Sequence, residues 1–74
     1  MMTAKIDRQH GSRRCTAAFF KPDNGECWAN VAVYDPVYGG IPLLYSYSTD
    51  WARARKALEL FEMTGDCCQR EVLG

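Results

Sequence analysis

The chain has 74 residues with nine basic and nine acidic side chains, so its formal net charge is zero, and 47% of its residues are hydrophobic. This length predicts one domain near the lower size limit for a hydrophobic core, and this composition argues against disorder. No apolar run approaches the ~20 residues of a membrane span, and no apolar stretch follows Met1 as in a signal peptide. We therefore expect a soluble cytoplasmic protein with reduced thiols.

Charge is unevenly distributed along the chain. Residues 1–21 carry five basic side chains against Asp7 alone, whereas residues 22–50 carry four acidic side chains and no basic one. A basic arm can contact nucleic-acid phosphates, although a solvated tail explains the same residues more simply. Residues 1–12 are predicted to form either a flexible arm or an edge strand.

A hairpin is predicted around residues 22–25, Pro-Asp-Asn-Gly. Proline presets φ for a turn, Asp and Asn bond to the local backbone, and glycine accepts a positive φ. We expect a four-residue loop between two strands, closed by a cross-strand ion pair between Lys21 and Glu26.

This closure sets the faces of the sheet. It places Phe19 opposite Trp28, on a face shared with Tyr34, and turns Phe20 toward the other face, which a helix is predicted to cover. A shift of one residue would exchange the faces of the first strand, so the assignment depends on the closure.

A third strand and a helix follow. Residues 41–47 are predicted as an edge strand because of Pro42, with Leu43 and the other odd-numbered side chains facing the helix and Leu44 on the opposite face. Ser48 or Thr49 is predicted to cap the helix, with Asp50 in its first turn, and Gly65 to end it. The helix stripe that faces the sheet consists of Trp51, Ala54, Leu58 and Phe61, with Ala57 beside it.

The predicted fold is therefore α+β, a three- to four-stranded antiparallel sheet with one helix packed on one face. The predicted order of elements is β-β-β-α, and residues 66–74 form either a final strand or a tail. All 74 residues belong to this single domain.

No catalytic or metal-binding constellation is predicted. The cysteines are 12, 40 and 1 residues apart, which does not suit a zinc site. The predicted register also separates Cys15 from Cys27 by roughly 17 Å, too far for a disulfide. His10 lies in a glycine-containing segment that would not orient it as a base. We expect free thiols, no cofactor and no enzymatic activity.

The aromatic face that the helix leaves uncovered gives the main functional expectation. Phe19 and Trp28 would each present about 150–250 Å² there, and such patches usually mark interaction sites. Cover by the chain's own ends and homodimerisation through this face remain open. Nucleic-acid binding is less favoured, because Glu59 and Glu62 dilute the basic residues of the helix.

The chain resembles two protein families, and both resemblances imply the same kind of function. Residues 31–40, a strand leading into a Pro/Gly turn, and residues 48–61, a Ser/Thr-capped helix rich in Ala, Leu and Glu, resemble the partial double-stranded-RNA-binding fold of HicB-type antitoxins. This resemblance covers residues 16–63, and the chain lacks the DNA-binding extension that many such antitoxins carry. The chain is also similar in size and architecture to the phage-encoded inhibitors of the anti-CRISPR class.

Both resemblances imply a small domain that blocks a larger protein or ribonucleoprotein complex by occupying its surface. We expect an anti-CRISPR protein that inhibits a CRISPR-Cas effector in the host cytoplasm; the alternative is a HicB-like antitoxin or a nucleic-acid-binding domain. Aromatic anchors and basic steering residues are expected at the contact. The predicted partner-binding residues are Phe19, Trp28, Tyr34, Arg14, Arg53 and Lys56.

Overall fold

The computed structural model describes residues 1–36 and 42–67. These residues form a four-stranded antiparallel sheet, with the strands in chain order, followed by one helix. The predicted α+β fold is confirmed, with four strands before the helix instead of three. The elements are β1 (Met2–His10), β2 (Arg13–Phe20), β3 (Trp28–Tyr34), β4 (Leu43–Thr49) and α1 (Trp51–Thr64).

The N-terminal residues form an edge strand. β1 pairs with β2 along its length, and the Lys21 backbone N–H donates to the Met1 carbonyl at 3.0 Å. Gly11 has a φ of +62° in the tight turn between the two strands, a conformation that glycine adopts readily. The side chains of Lys5 and Asp7 are exposed, and such charges discourage pairing of the free edge with other chains.

β2 pairs with β3 one residue away from the predicted register. Phe20 lies opposite Trp28, and Phe19 lies opposite Ala29. The predicted exposure of Phe19 is therefore wrong, because its side chain is only 4% exposed and belongs to the core. The cause is the connection, in which residues 21–27 all lie outside the strands, so no four-residue loop closed by Lys21 forms.

The core lies between α1 and one face of the sheet. The predicted helix stripe is confirmed, since its central residues are buried and Trp51 is partly buried. Both sides of this contact mix small side chains, such as Ala17 and Ala54, with large ones, such as Phe19 and Phe61. The buried apolar residues are Cys15, Ala17, Phe19, Ala29, Val31, Val33, Ala54, Ala57, Leu58, Phe61 and Cys67.

Both ends of α1 are capped. Asp50 is the N-cap and accepts a hydrogen bond from the Arg53 backbone N–H at 2.7 Å. The predicted caps Ser48 and Thr49 are wrong, because β4 continues through both residues. Gly65 ends the helix as predicted, with a φ of +79° and its N–H donating to the Phe61 carbonyl.

β4 begins later than predicted and contains an irregularity. Tyr45 and Tyr47 pack against the core as predicted, but Leu44 also packs against it and Leu43 is exposed. The assignments of the two leucines are therefore reversed. The pairing of β3 with β4 shifts between Val33 and the next residue, and such a bulge interrupts the alternation of faces.

The described C-terminal residues do not extend the sheet. Asp66 and Cys67 lie outside the strands, and the rest of the predicted final strand lies outside the described residues. Part of the predicted turn at residues 35–40 and the start of the predicted third strand also lie outside them.

The register of β2 can be tested by comparing its two phenylalanines. Phe19→Ala should lower the free energy of unfolding by about 3–5 kcal/mol, because a buried ring leaves a cavity, whereas Phe20→Ala should cost only about 1 kcal/mol. Urea unfolding followed by circular dichroism measures both. Phe19→Leu, with an expected loss of about 1 kcal/mol, keeps the comparison measurable if Phe19→Ala does not fold. A larger loss for Phe20→Ala would contradict this register.

Candidate binding face and a buried thiol cluster

The surface of the sheet opposite α1 is the candidate binding face, and we call it the open face. Its residues follow from the alternation of side chains along β2 and β3 and from the pairing of these strands. The polar side chains of Lys5, Asp7 and Ser46 flank its centre, whereas the exposed Met2 and Leu43 lie opposite Phe20 and Tyr34 at its ends. The open face consists of Arg14, Thr16, Ala18, Phe20, Trp28, Asn30, Ala32 and Tyr34.

A stacked aromatic pair lies at one end of the open face. The rings of Phe20 and Trp28 are 4.2 Å apart between centroids and inclined by only 10°. The Trp28 side chain is one of the exposed large hydrophobic groups, at 40% exposure. Trp51 of α1 fixes the backbone beneath this pair, because its indole Nε1–H lies 2.8 Å from the Trp28 carbonyl and 3.2 Å from that of Phe20.

A contact between Arg14 and Tyr34 lies at the opposite end of the open face. The guanidinium carbon of Arg14 lies 5.2 Å from the centroid of the Tyr34 ring, in a cation–π contact. Its Nε atom is also 4.0 Å from a carboxylate oxygen of Asp7 on β1. A cavity of about 280 Å³ lies beside this contact and is lined by Gln9, Ser12, Arg14, Tyr34, Pro36 and Pro42.

The centre of the open face has low relief. Thr16, Ala18, Asn30 and Ala32 have short side chains, and none of them is exposed. Strand geometry puts the two ends of this face roughly 20 Å apart along β3. The open face is therefore a shallow saddle between the aromatic pair and the Arg14–Tyr34 contact.

The structure brings together three of the six predicted partner-binding residues. Trp28, Tyr34 and Arg14 share the open face, whereas Phe19 is buried on the side of α1. Arg53 and Lys56 are exposed on the helix, and so lie on the other side of the sheet.

Phe20 was missed as a member of the open face. The alternation of side chains along the two strands would have revealed it, but only with the correct length of the loop between them.

The side chain of Arg53 forms an ion pair within the helix, since its guanidinium is 3.3 Å from the Asp50 carboxylate.

A cluster of thiols and phenols lies on the helix side of the sheet. Cys15 on β2 and Cys67 after α1 are both fully buried members of the core. The Tyr47 hydroxyl donates to the Cys67 carbonyl at 3.2 Å and lies 3.7 Å from its sulfur. The Tyr45 hydroxyl accepts from the Cys67 backbone N–H and donates to the Asp66 carboxylate.

These contacts favour a thiolate at one of the two cysteines. The hydrogen bond from Cys15, aided by those from Tyr47 and Tyr45, lowers the pKa of Cys67 to about 6, although burial opposes this shift. The same thiol–thiol hydrogen bond, together with burial, raises the pKa of Cys15. Burial and the hydrogen bond to Asp66 raise the pKa of Tyr45. The sequence spacing gave no sign of this cluster, which depends on where the chain runs after Gly65.

Within residues 1–36 and 42–67, no group of three or more His, Cys, Asp or Glu side chains could hold a metal ion. The helix found in this part of the chain lacks the length and apolar character needed to cross a membrane. Comparisons with protein families, curated proteins and solved structures gave no match. The resemblances to anti-CRISPR inhibitors and HicB-type antitoxins therefore stay hypotheses.

The thiol cluster should make stability depend on pH between about 6 and 9. Folding lowers the pKa of Cys67 from its ordinary 9.0 to about 6, so its stabilising contribution is complete above pH 9 and disappears as the pH falls through 6. Cys15, whose pKa is raised, stays protonated in this range. The difference in free energy of unfolding between the wild type and Cys67→Ser should therefore shrink toward pH 6. Urea unfolding at several pH values measures it.

The ultraviolet absorbance of the thiolate gives a direct check on the same group. It should appear with a midpoint near pH 6, vanish in Cys67→Ser and persist in the control Cys27→Ser. A midpoint near the ordinary thiol value would contradict the described hydrogen bonding.

Proposed function

We propose that the open face binds a surface of a larger protein and that the chain inhibits this partner by occupying that surface. The observation that supports the proposal is the stacked pair of the half-buried Phe20 and the exposed Trp28, which Trp51 anchors from behind. Exposed aromatic side chains often carry most of the binding energy of an interface. A pair that is already stacked before binding loses little conformational freedom on contact.

The shape of the open face, shallow at its centre and bounded by larger side chains at both ends, suits a rigid element of a partner protein. On the opposite face, α1 lies close to the sheet over small residues such as Ala17 and Ala29. Thr16 and Ala32 make the centre of the open face comparably shallow, and a helix of about 10 Å diameter fits between its two ends. We therefore expect the partner to place a helix, or a ridge of similar width, across the saddle.

The charge of the open face favours a protein over a nucleic acid. Arg14 lies near Asp7, which offsets its charge, and Lys5 is the other basic side chain among the described residues of β1 and β2 on this side. A surface that neutralises several phosphates needs more basic groups than this. Arg53 and Lys56 cannot reach the same contact and would act through long-range steering.

Inhibition of a CRISPR-Cas effector is the specific form of this proposal. It is supported by the resemblance of this small α+β chain to phage-encoded anti-CRISPR inhibitors, and it places the protein in the cytoplasm of the phage's host. A HicB-like antitoxin would use the same kind of surface against a toxin. Homodimerisation through the open face is the competing use of that surface.

Replacing Trp28 tests the proposal. Trp28→Ala should weaken binding to the partner by about 2 kcal/mol, roughly 30-fold, because it removes an exposed anchor. Its circular dichroism spectrum and cooperative unfolding should remain. Inhibition of target cleavage by a panel of purified CRISPR effector complexes provides the assay, with Met63→Ala as the control, since Met63 is 73% exposed on the helix.

A photo-crosslinking residue at position 28, compared with one at position 63, identifies what contacts the open face if no effector is inhibited. Crosslinks to one larger protein from position 28 alone would retain the binding proposal and reject the CRISPR hypothesis. Crosslinks only to a second copy of the chain, or to nucleic acid at low salt, would contradict the proposed function.

A further inference from the structure

We propose that β1 pairs with β1 of a second copy of this chain, antiparallel and centred on Ile6, so that two copies form a dimer with one continuous sheet. β1 lies at an edge of the sheet, and within residues 1–36 and 42–67 no strand other than β2 pairs with it. All of its residues except the partly buried Ile6 are exposed. The outer backbone groups of an edge strand are a template for another strand.

The charges of β1 are complementary to themselves in this register. In an antiparallel pairing centred on Ile6, Lys5 of each copy lies opposite Asp7 of the other, so two pairs of opposite charge form. Both side chains are exposed, and both lie on the same side of the sheet, because they pair with Ala18 and Thr16 of β2. The register therefore uses the two charges of this side without a rearrangement of the strand.

The neighbouring registers are disfavoured by the same two residues. Moving the centre from Ile6 to Lys5 places two ammonium groups directly opposite each other, and moving it to Asp7 does the same with two carboxylates. Like charges in directly opposite positions destabilise a pair of strands. Charges on an edge strand oppose most pairings, and on β1 they leave the one centred on Ile6.

The regular part of β1 suits this centre. The pairing of β1 with β2 is irregular between Met2 and Ala4 and regular from Ala4 onward. Ile6 is the middle residue of the regular segment 4–8, which pairs with itself in the dimer. The register places the small Ala4 opposite Arg8, so the ion pair of Arg8 with Glu62 in each copy stays in place.

The helix side of this edge is also self-complementary in charge. A groove of about 260 Å³ follows the border between β1 and α1, and Ile6 lies in it beside the middle of the helix segment. A two-fold axis through Ile6 makes the two helices antiparallel and brings Arg55 of one copy toward the acidic residues of the other. The residues that line the groove are Ile6, Arg8, Arg55, Leu58, Glu59 and Glu62.

This dimer leaves both open faces uncovered. Residues opposite each other in a sheet share a face, so both α1 helices lie on one side of the continuous sheet and both open faces lie on the other. Trp28 is on β3, two strands away from the pairing edge. Dimerisation through β1 and binding at the open face can therefore be tested separately.

Charge reversal tests the register. Lys5→Asp and Asp7→Lys each place like charges opposite each other at two symmetric positions, so each should weaken the dimer roughly tenfold or more. The double variant with both substitutions restores opposite charges and should dimerise like the wild type. The control Asp23→Lys makes the same charge change at an exposed position of the loop between β2 and β3. Sedimentation equilibrium of the full-length chain measures the dissociation constants, and circular dichroism checks that each variant is folded.

Isotope-filtered nuclear Overhauser contacts between labelled and unlabelled wild-type copies locate the interface. We expect contacts between residues 4–8 of the two copies, and an unchanged dissociation constant of the dimer in Trp28→Ala. A chain that stays monomeric at millimolar concentration would overturn the proposal. So would a dimer that neither single reversal weakens, or one whose copies meet through Phe20 and Trp28.

Discussion

The pairing of Phe20 with Trp28 is the constraint on which the rest of the structure depends. Because side chains alternate along a strand, this one pair decides which half of β2 enters the core and which half faces outward. It sends Phe19 toward α1, where its ring meets Trp51 edge-on at 5.7 Å, and it brings Phe20 to the open face. The core and the candidate binding face therefore follow from the same register.

Trp51 and Arg13 connect the helix to the two ends of the sheet. The Trp51 indole reaches the backbone carbonyls under the stacked aromatic pair, so the first turn of α1 supports the candidate site from behind. At the other end, Arg13 lies 3.0 Å from the buried Asp35 carboxylate and donates to the Gly65 carbonyl. This second anchor helps to position the chain after the helix, where Cys67 contacts Tyr45 and Tyr47 of β4.

The sequence was sufficient to predict the features of the fold that depend only on residues close together in the chain. The apolar stripe of α1 and its Gly65 end were predictable because helix periodicity and the left-handed cap are properties of neighbouring residues. Trp28 and Tyr34 were assigned to the open face correctly. They are separated by an even number of positions along β3, and alternate side chains of a strand lie on the same face.

The rest depended on features that a single sequence does not display. Phe19 and Phe20 were exchanged because the turn residues 22–25 suggested a tight loop, whereas the strands are joined by residues 21–27. The faces of Leu43 and Leu44 were exchanged because the bulge in the pairing of β3 with β4 interrupts the alternation of side chains. The contacts of Cys67 with Tyr45 and Tyr47 are tertiary, and no rule on sequence spacing describes them.

The central claim is that β2 and β3 meet in the register that pairs Phe20 with Trp28. Nuclear Overhauser contacts between assigned side chains in solution test this most directly. The account predicts contacts between the Phe20 and Trp28 rings, and between Phe19 and Trp51. Contacts between the Phe19 and Trp28 rings, with Phe20 close to the helix instead, would contradict it.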